Sequence, residues 1–60
     1  MRSVAFPFGK GWHYANVDEI IAVKYIGAGQ SFIYLTGGIE LECSEDTFNV
    51  IKRIEAALSK

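Results

Sequence analysis

The sequence predicts an α+β fold: a small antiparallel β-meander of three to five strands, with one C-terminal α-helix packed on one face. Two observations lead to this prediction. Residues 31–36 and 39–43 alternate in side-chain character on either side of Gly37-Gly38, as expected for a β-hairpin closed by glycines that tolerate positive φ. From Ser44 onwards, apolar residues recur at helical spacing. We therefore expect one domain that spans residues 1–60.

The first half of the chain is predicted to form short strands joined by turns. Residues 4–8 are expected to form an edge strand, because Pro7 has no backbone N–H to donate to a neighbour. Residues 12–15 are predicted to form a second short strand. Residues 16–18 combine Asn and Asp and predict a turn or a single helical turn. Residues 20–26 are rich in Ile and Val and predict a third strand, which a glycine-containing turn joins to the hairpin.

The C-terminal helix has clear start signals. Ser44 is a favoured N-cap residue, and Glu45 and Asp46 would place negative charge in the first turn, where the helix dipole favours it. An apolar stripe follows, which is expected to face the sheet. Its predicted members are Phe48, Ile51, Ile54 and Leu58, widened by Val50 and Ala57.

Strand alternation divides the hairpin into two faces. The face expected to pack against the helix carries Ile33 and Leu35 on one strand and Ile39, Leu41 and Cys43 on the next. The opposite face carries Phe32, Tyr34 and Thr36 beside Glu40 and Glu42. Two alternatives stay open for this second face. Its aromatic side chains either meet another chain, as exposed aromatic patches commonly do, or pack on the N-terminal strand and Trp12.

The small size of the chain predicts a need for additional stabilisation. A 60-residue domain buries a limited share of its surface, and the usual supports are disulfides, a metal or oligomerisation. Cys43 is the only cysteine and His13 the only histidine, so neither an intramolecular disulfide nor a four-ligand zinc site can be built from them. Homo-oligomerisation is the support left open, and no cofactor is predicted.

Charge and hydropathy limit the classes of partner. The net charge is −1, and the six Lys and Arg residues are scattered along the chain, whereas a domain dedicated to duplex nucleic acid usually carries a basic stripe. Nucleic-acid binding is therefore disfavoured. The chain has neither a signal-peptide pattern nor an apolar run long enough to cross a membrane. A single unpaired cysteine fits a reducing compartment, so we expect a cytoplasmic protein without a membrane partner.

The reactive side chains do not form a recognisable catalytic set. His13 would need a nucleophile and an orienting group within reach, and Cys43 is predicted at an inward strand position, where a buried thiol is ordinary. Glu40 and Glu42 share a strand face, but surface acids of this kind are commonly solvated or form cross-strand pairs. The sequence therefore predicts that the protein is not an enzyme.

The stretch from His13 to Leu58 resembles a class of small bacterial and phage proteins. The resemblance rests on short turn and cap elements, namely Asn16-Val17-Asp18-Glu19-Ile20 followed by Val23, Tyr34-Leu35-Thr36-Gly37-Gly38 and Ser44-Glu45-Asp46. The small flagellar FlbD-like proteins are similar, and LytTR-type DNA-binding domains share the strand–strand–helix ending, although they are larger and more basic. The resemblance implies a β-sheet with one helix and a regulatory or accessory role, and it transfers no catalytic residue.

The function predicted from these observations is non-catalytic binding by a small homo-oligomeric accessory or regulatory protein, with a protein as its partner. The predicted binding residues are Trp12, Tyr14, Lys24, Phe32 and Tyr34. One alternative is a nucleic-acid-binding regulator that uses these aromatic side chains with scattered basic residues. A second alternative is a phage-type inhibitor or small-ligand sequestering protein with a pocket between subunits.

Overall fold

The computed structural model of the protein describes residues 2–59 and contains the predicted β-meander and C-terminal helix. All strand pairs are antiparallel, and the α+β fold class is confirmed. The elements, in chain order, are β1 (Ser3–Phe8), β2 (Gly11–Asn16), a single 3₁₀ turn (Val17–Glu19), β3 (Ile20–Gly27), β4 (Gln30–Leu35), β5 (Ile39–Cys43) and α1 (Thr47–Leu58).

The five strands belong to two sheets. β1 pairs with β2, and a second sheet has the order β3-β4-β5. The meander is interrupted at the 3₁₀ turn, where the side chain of Asn16 accepts a hydrogen bond from the backbone N–H of Asp18 at 3.1 Å. Pro7 lies in the two-stranded sheet, where both strands are edge strands, and its carbonyl accepts a 2.8 Å hydrogen bond from the N–H of Ser44. This bond joins the first hairpin to the end of β5.

The core lies between the first hairpin, the helix and one face of the three-stranded sheet. Its largest fully buried side chains are Phe6 from β1, Ile33 from β4 and Val50 from α1. We call the sheet face that carries Ile33 and Leu35 the inner face. The opposite face, which carries Phe32 and Tyr34, is the outer face.

The helix starts later than predicted. Asp46, not Ser44, is the N-cap residue: its carboxylate accepts a 3.0 Å hydrogen bond from the N–H of Asn49. Ser44 is engaged by the first hairpin instead. Besides the bond from its N–H, its hydroxyl oxygen accepts a 2.9 Å hydrogen bond from the N–H of Gly9. Because these tertiary hydrogen bonds hold Ser44 against the first hairpin, Asp46 caps the helix in its place.

The buried stripe of α1 is rotated relative to the prediction. Val50 and Ala57 are buried and Ile54 packs against the core, whereas Phe48, Ile51 and Leu58 are exposed. The reason is that the helix contacts β1 as well as the sheet. Since two surfaces flank the helix, the Val50–Ala57 side turns inward and the Ile51 side turns away from the hairpin.

Two details near the β4–β5 turn also differ from the prediction. The turn contains three residues, Thr36 to Gly38, and both glycines adopt positive φ angles, of 85° and 81°. Ile39 was expected on the face that the helix covers, but it lies on the last rung before this turn and is half exposed.

Within residues 2–59, no helix has the length and apolar character needed to cross a membrane.

Candidate interaction surfaces

The outer face brings three of the five predicted binding residues together. Lys24 on β3, Phe32 on β4 and Glu42 on β5 form one row across the three strands. Tyr34 lies in the next row, between Ala22 and Glu40. The rings of Phe32 and Tyr34 are tilted against each other, with centroids 6.5 Å apart. Both side chains are partly exposed, so this face presents an aromatic pair.

The charges of the outer face are mixed, with an acidic excess. Lys24 and Glu42 flank the ring of Phe32 from opposite sides, and Glu40 flanks Tyr34. The aromatic pair is therefore flanked by two carboxylates and one amine. A surface that binds a phosphate backbone requires an excess of positive charge. An apolar centre with a polar rim is instead typical of surfaces that bind proteins.

The other two predicted binding residues, Trp12 and Tyr14, lie on β2 of the first hairpin. The guanidinium of Arg53 sits over the ring of Trp12, 5.6 Å from its centroid. Arg53 belongs to α1, so Trp12 is on the helix side of the molecule and not beside Phe32. The predicted site is thus divided between two surfaces, and packing of Phe32 and Tyr34 on Trp12 is not observed.

An ion pair positions the arginine that stacks on Trp12. Nε and Nη2 of Arg53 donate to the two carboxylate oxygens of Glu45, at 2.5 Å and 3.0 Å. These hydrogen bonds raise the pKa of Arg53. Because a bidentate pair fixes the plane of the guanidinium, the flat group is held in place over the Trp12 ring. Tyr14, 71% exposed, has no comparable support.

Cys43 and His13, the two side chains with the most reactive chemistry, lie in environments typical of structural residues. Cys43 is fully buried. Burial raises the pKa of its thiol, and the negative charge of Glu45 raises it further, while Arg53 acts in the opposite direction. Since the thiolate is the nucleophilic form, this environment suppresses its reactivity. His13 stacks against Phe8, with ring centroids 5.0 Å apart.

Cavities and metal-ligand clusters offer little for a small ligand. A crevice of about 210 Å³ lies between β1 and α1, lined by Ser3, Val4, Ala5, Arg53, Ala56 and Ala57. Drug-sized ligands occupy pockets of roughly 300–1,000 Å³, so this crevice is too small for one. Among residues 2–59, no three His, Cys, Asp or Glu side chains form a group that could hold a metal ion.

A third surface, which sequence reasoning missed, lies where β3 meets the exposed side of α1. The two elements contact each other. We call this surface the β3–α1 face and define it by five exposed apolar side chains of β3 and α1: Ile21, Tyr25, Phe48, Ile51 and Leu58. Its sequence signal was present: β3 has apolar side chains at both strand parities, and α1 has more apolar residues than one stripe needs. An excess of this kind on two elements indicates a second apolar surface.

Comparison of the chain with family models, with curated proteins and with solved structures finds no match. The resemblance to FlbD-like proteins and to LytTR-type domains therefore stays a prediction.

Proposed function

We propose that this protein is a small, non-catalytic accessory or regulatory protein that works as a homo-oligomer and binds a protein partner through its outer face. One observation carries the proposal. Among residues 2–59, ten large apolar side chains are exposed, including Ile21, Tyr25 and Phe48, each about two-thirds exposed. Scattered exposed apolar residues are ordinary, but a concentration of them on so small a chain is typical of an interaction protein.

The buried part of the molecule supports the same proposal. The core of residues 2–59 contains eight buried apolar residues, of which Val4, Val17, Cys43, Val50 and Ala57 have small side chains. A core of this size gives a 60-residue domain only a few kcal/mol of net stability, on the order of 3–5 kcal/mol. Association that covers exposed apolar side chains would add to it.

The outer face is the proposed binding surface for the partner. Phe32 and Tyr34 provide an aromatic centre, and Lys24, Glu40 and Glu42 provide a charged rim. This composition favours a protein partner with an apolar patch and basic residues around it. The acidic excess makes nucleic acid the weaker alternative, and the small crevice gives no support to ligand sequestration within one chain. The buried, protonated thiol of Cys43 supports the non-catalytic assignment and is compatible with the cytoplasmic location expected above.

The mass of the protein in solution tests the proposal. A dilution series followed by light scattering should give at least twice the chain mass of 6.7 kDa at high micromolar concentration. A folded protein that keeps the monomer mass at that concentration would contradict it.

Titration with a short oligonucleotide at low and high salt tests the nucleic-acid alternative. Binding that falls steeply with salt would favour that alternative.

A further inference from the structure

We infer that the β3–α1 face is where a second copy of this chain docks, two-fold related, with β3 beside β3 and α1 beside α1. The inference rests on the proposed homo-oligomer and specifies which surface forms it. The outer face is then left free for the partner.

The elements of the β3–α1 face run side by side. At one end, Tyr25 on β3 pairs with Ser31 on β4. The hydroxyl of Ser31 donates a 2.9 Å hydrogen bond to the carbonyl of Glu45 and lies 3.1 Å from the hydroxyl oxygen of Thr47. Tyr25 is thus one strand away from the start of α1, where Phe48 follows Thr47.

The opposite end of α1 lies near the start of β3. Arg2 donates a 3.1 Å hydrogen bond to the carbonyl of Leu58 and also forms a 2.5 Å ion pair with Asp18. Asp18 belongs to the 3₁₀ turn that leads directly into Ile20 and Ile21. The helix therefore runs antiparallel to β3, and its exposed apolar side chains extend along much of the strand.

The strand on this face has an open edge. Within residues 2–59, β3 is paired with β4 on one side only. Open edge strands are commonly protected by proline, by charged residues such as lysine or by β-bulges. β3 contains no proline, and its one charged residue, Lys24, pairs with Phe32 on the outer face. Irregularities at both ends of β3 leave Ala22 to Tyr25 as its regular part, so strand pairing would be short and the helix must supply much of the contact.

The arrangement of side chains on α1 is suited to a two-fold axis. In an antiparallel helix pair, residues whose numbers add to a constant face each other. A sum near 106 sets Phe48 of one copy against Leu58 of the other, and Ile51 against Glu55. Lys52 and Glu55, both exposed, are one residue out of this register, so opposite charges lie near each other at the rim of the interface. Isologous contacts of this kind are the rule for two-fold dimers.

The β3–α1 face supplies a substantial part of the area that a dimer needs. A standard interface takes about 800 Å² from each partner, about a fifth of the 3907 Å² surface of this chain. Tyr25 and Phe48 are each 67% exposed, and aromatic side chains of roughly 150–250 Å² at that exposure present roughly 200–330 Å² together. Three exposed aliphatic side chains and the edge of β3 supply further area.

Matched serine substitutions test the inference. In the full chain, Tyr25→Ser combined with Phe48→Ser should raise the dimer dissociation constant at least about 100-fold, since each ring is removed from both copies. Tyr14→Ser is the matched control, because Tyr14 is a strand tyrosine of similar exposure (71%) on the first hairpin. It should leave the dissociation constant within about twofold. The helical circular dichroism signal should be unchanged in both proteins.

Hydrogen exchange of the unmodified protein provides a second measurement that does not depend on the folding of a variant. Amides on the open edge of β3 should exchange more slowly above the dissociation constant than below it. A wild-type oligomer that resists the double substitution, or dissociates with Tyr14→Ser, would overturn the inference and leave the proposed function standing. A folded wild-type monomer at high micromolar concentration would overturn both.

Discussion

At the scale of single residues, Cys43 shows how position determines chemistry. It closes β5 on the inner face, opposite the buried Ser31, and strand alternation predicted this inward orientation from the sequence. Burial then raises the pKa of the thiol, with a further contribution from Glu45. The position of Arg53, which opposes that effect, could not be read from the sequence, because it depends on how the helix is oriented over the sheet.

The raised pKa of Cys43 predicts a loss of stability at alkaline pH. At pH values well below the ordinary thiol pKa of 9.0, Cys43 is protonated in both the folded and the unfolded chain. Its contribution to the free energy of unfolding is fully present at those pH values. As the pH rises above that value, the unfolded chain releases the proton first. The free energy of unfolding should then fall, with a slope of up to about 1.4 kcal/mol per pH unit, until the folded thiol also ionises.

Cys43→Ala isolates this contribution. Alanine keeps the site small and apolar but does not titrate, so the variant should lack the alkaline component that the wild-type protein shows. Urea unfolding of both proteins between pH 7 and pH 10 measures the difference. Parallel pH profiles would contradict the assignment of the effect to Cys43.

At the scale of elements, the position of each strand and of the helix followed from sequence patterns, whereas the orientation of the helix did not. Alternation and glycine turns locate strands because they act locally. The buried side of α1 depends on two surfaces, the sheet and the first hairpin, and the chain carries apolar residues on more than one side of the helix. The same limit explains Ser44: its cap chemistry is local, but its hydrogen bonds to Pro7 and Gly9 are tertiary.

Neighbouring substitutions on α1 distinguish its two sides. Val50 is fully buried and Ile51 is 42% exposed. Val50→Ala should cost about 2 kcal/mol, which lowers the melting temperature of a domain of this size by roughly 8–16 °C.

Ile51→Ala is the control for Val50→Ala, and it should lower the melting temperature of dilute protein by much less. Thermal unfolding followed by circular dichroism at low micromolar concentration provides the comparison. Equal losses in the two variants would mean that the stripe predicted from the sequence, with Ile51 inward, is correct after all.

At the scale of the whole molecule, the distribution of apolar side chains links stability to association. The sequence predicted an uncovered sheet face, and Phe32 and Tyr34 do lie on it. The larger exposed apolar surface is the β3–α1 face, whose members come from elements far apart in the chain. No local pattern joins Tyr25 to the start of α1; that relation becomes apparent only through the pairing of Tyr25 with Ser31 and the hydrogen bonds of Ser31 with Glu45 and Thr47.

If association covers that surface, the melting temperature must depend on protein concentration, because the associated folded state is favoured by mass action. For a two-chain unit of this size, with an unfolding enthalpy of about 0.7 kcal/mol per residue, each tenfold increase in concentration should raise the melting temperature by on the order of 5 °C. Calorimetry or circular dichroism would measure the melting temperature at protein concentrations from roughly 1 µM to 1 mM, the range of dissociation constants for weak association. The protein with Tyr25→Ser and Phe48→Ser should melt at a temperature that does not change with concentration and that matches the dilute wild-type protein. A concentration-independent wild-type melting temperature would mean that the monomer core suffices, and that the exposed apolar side chains of β3 and α1 serve a different partner.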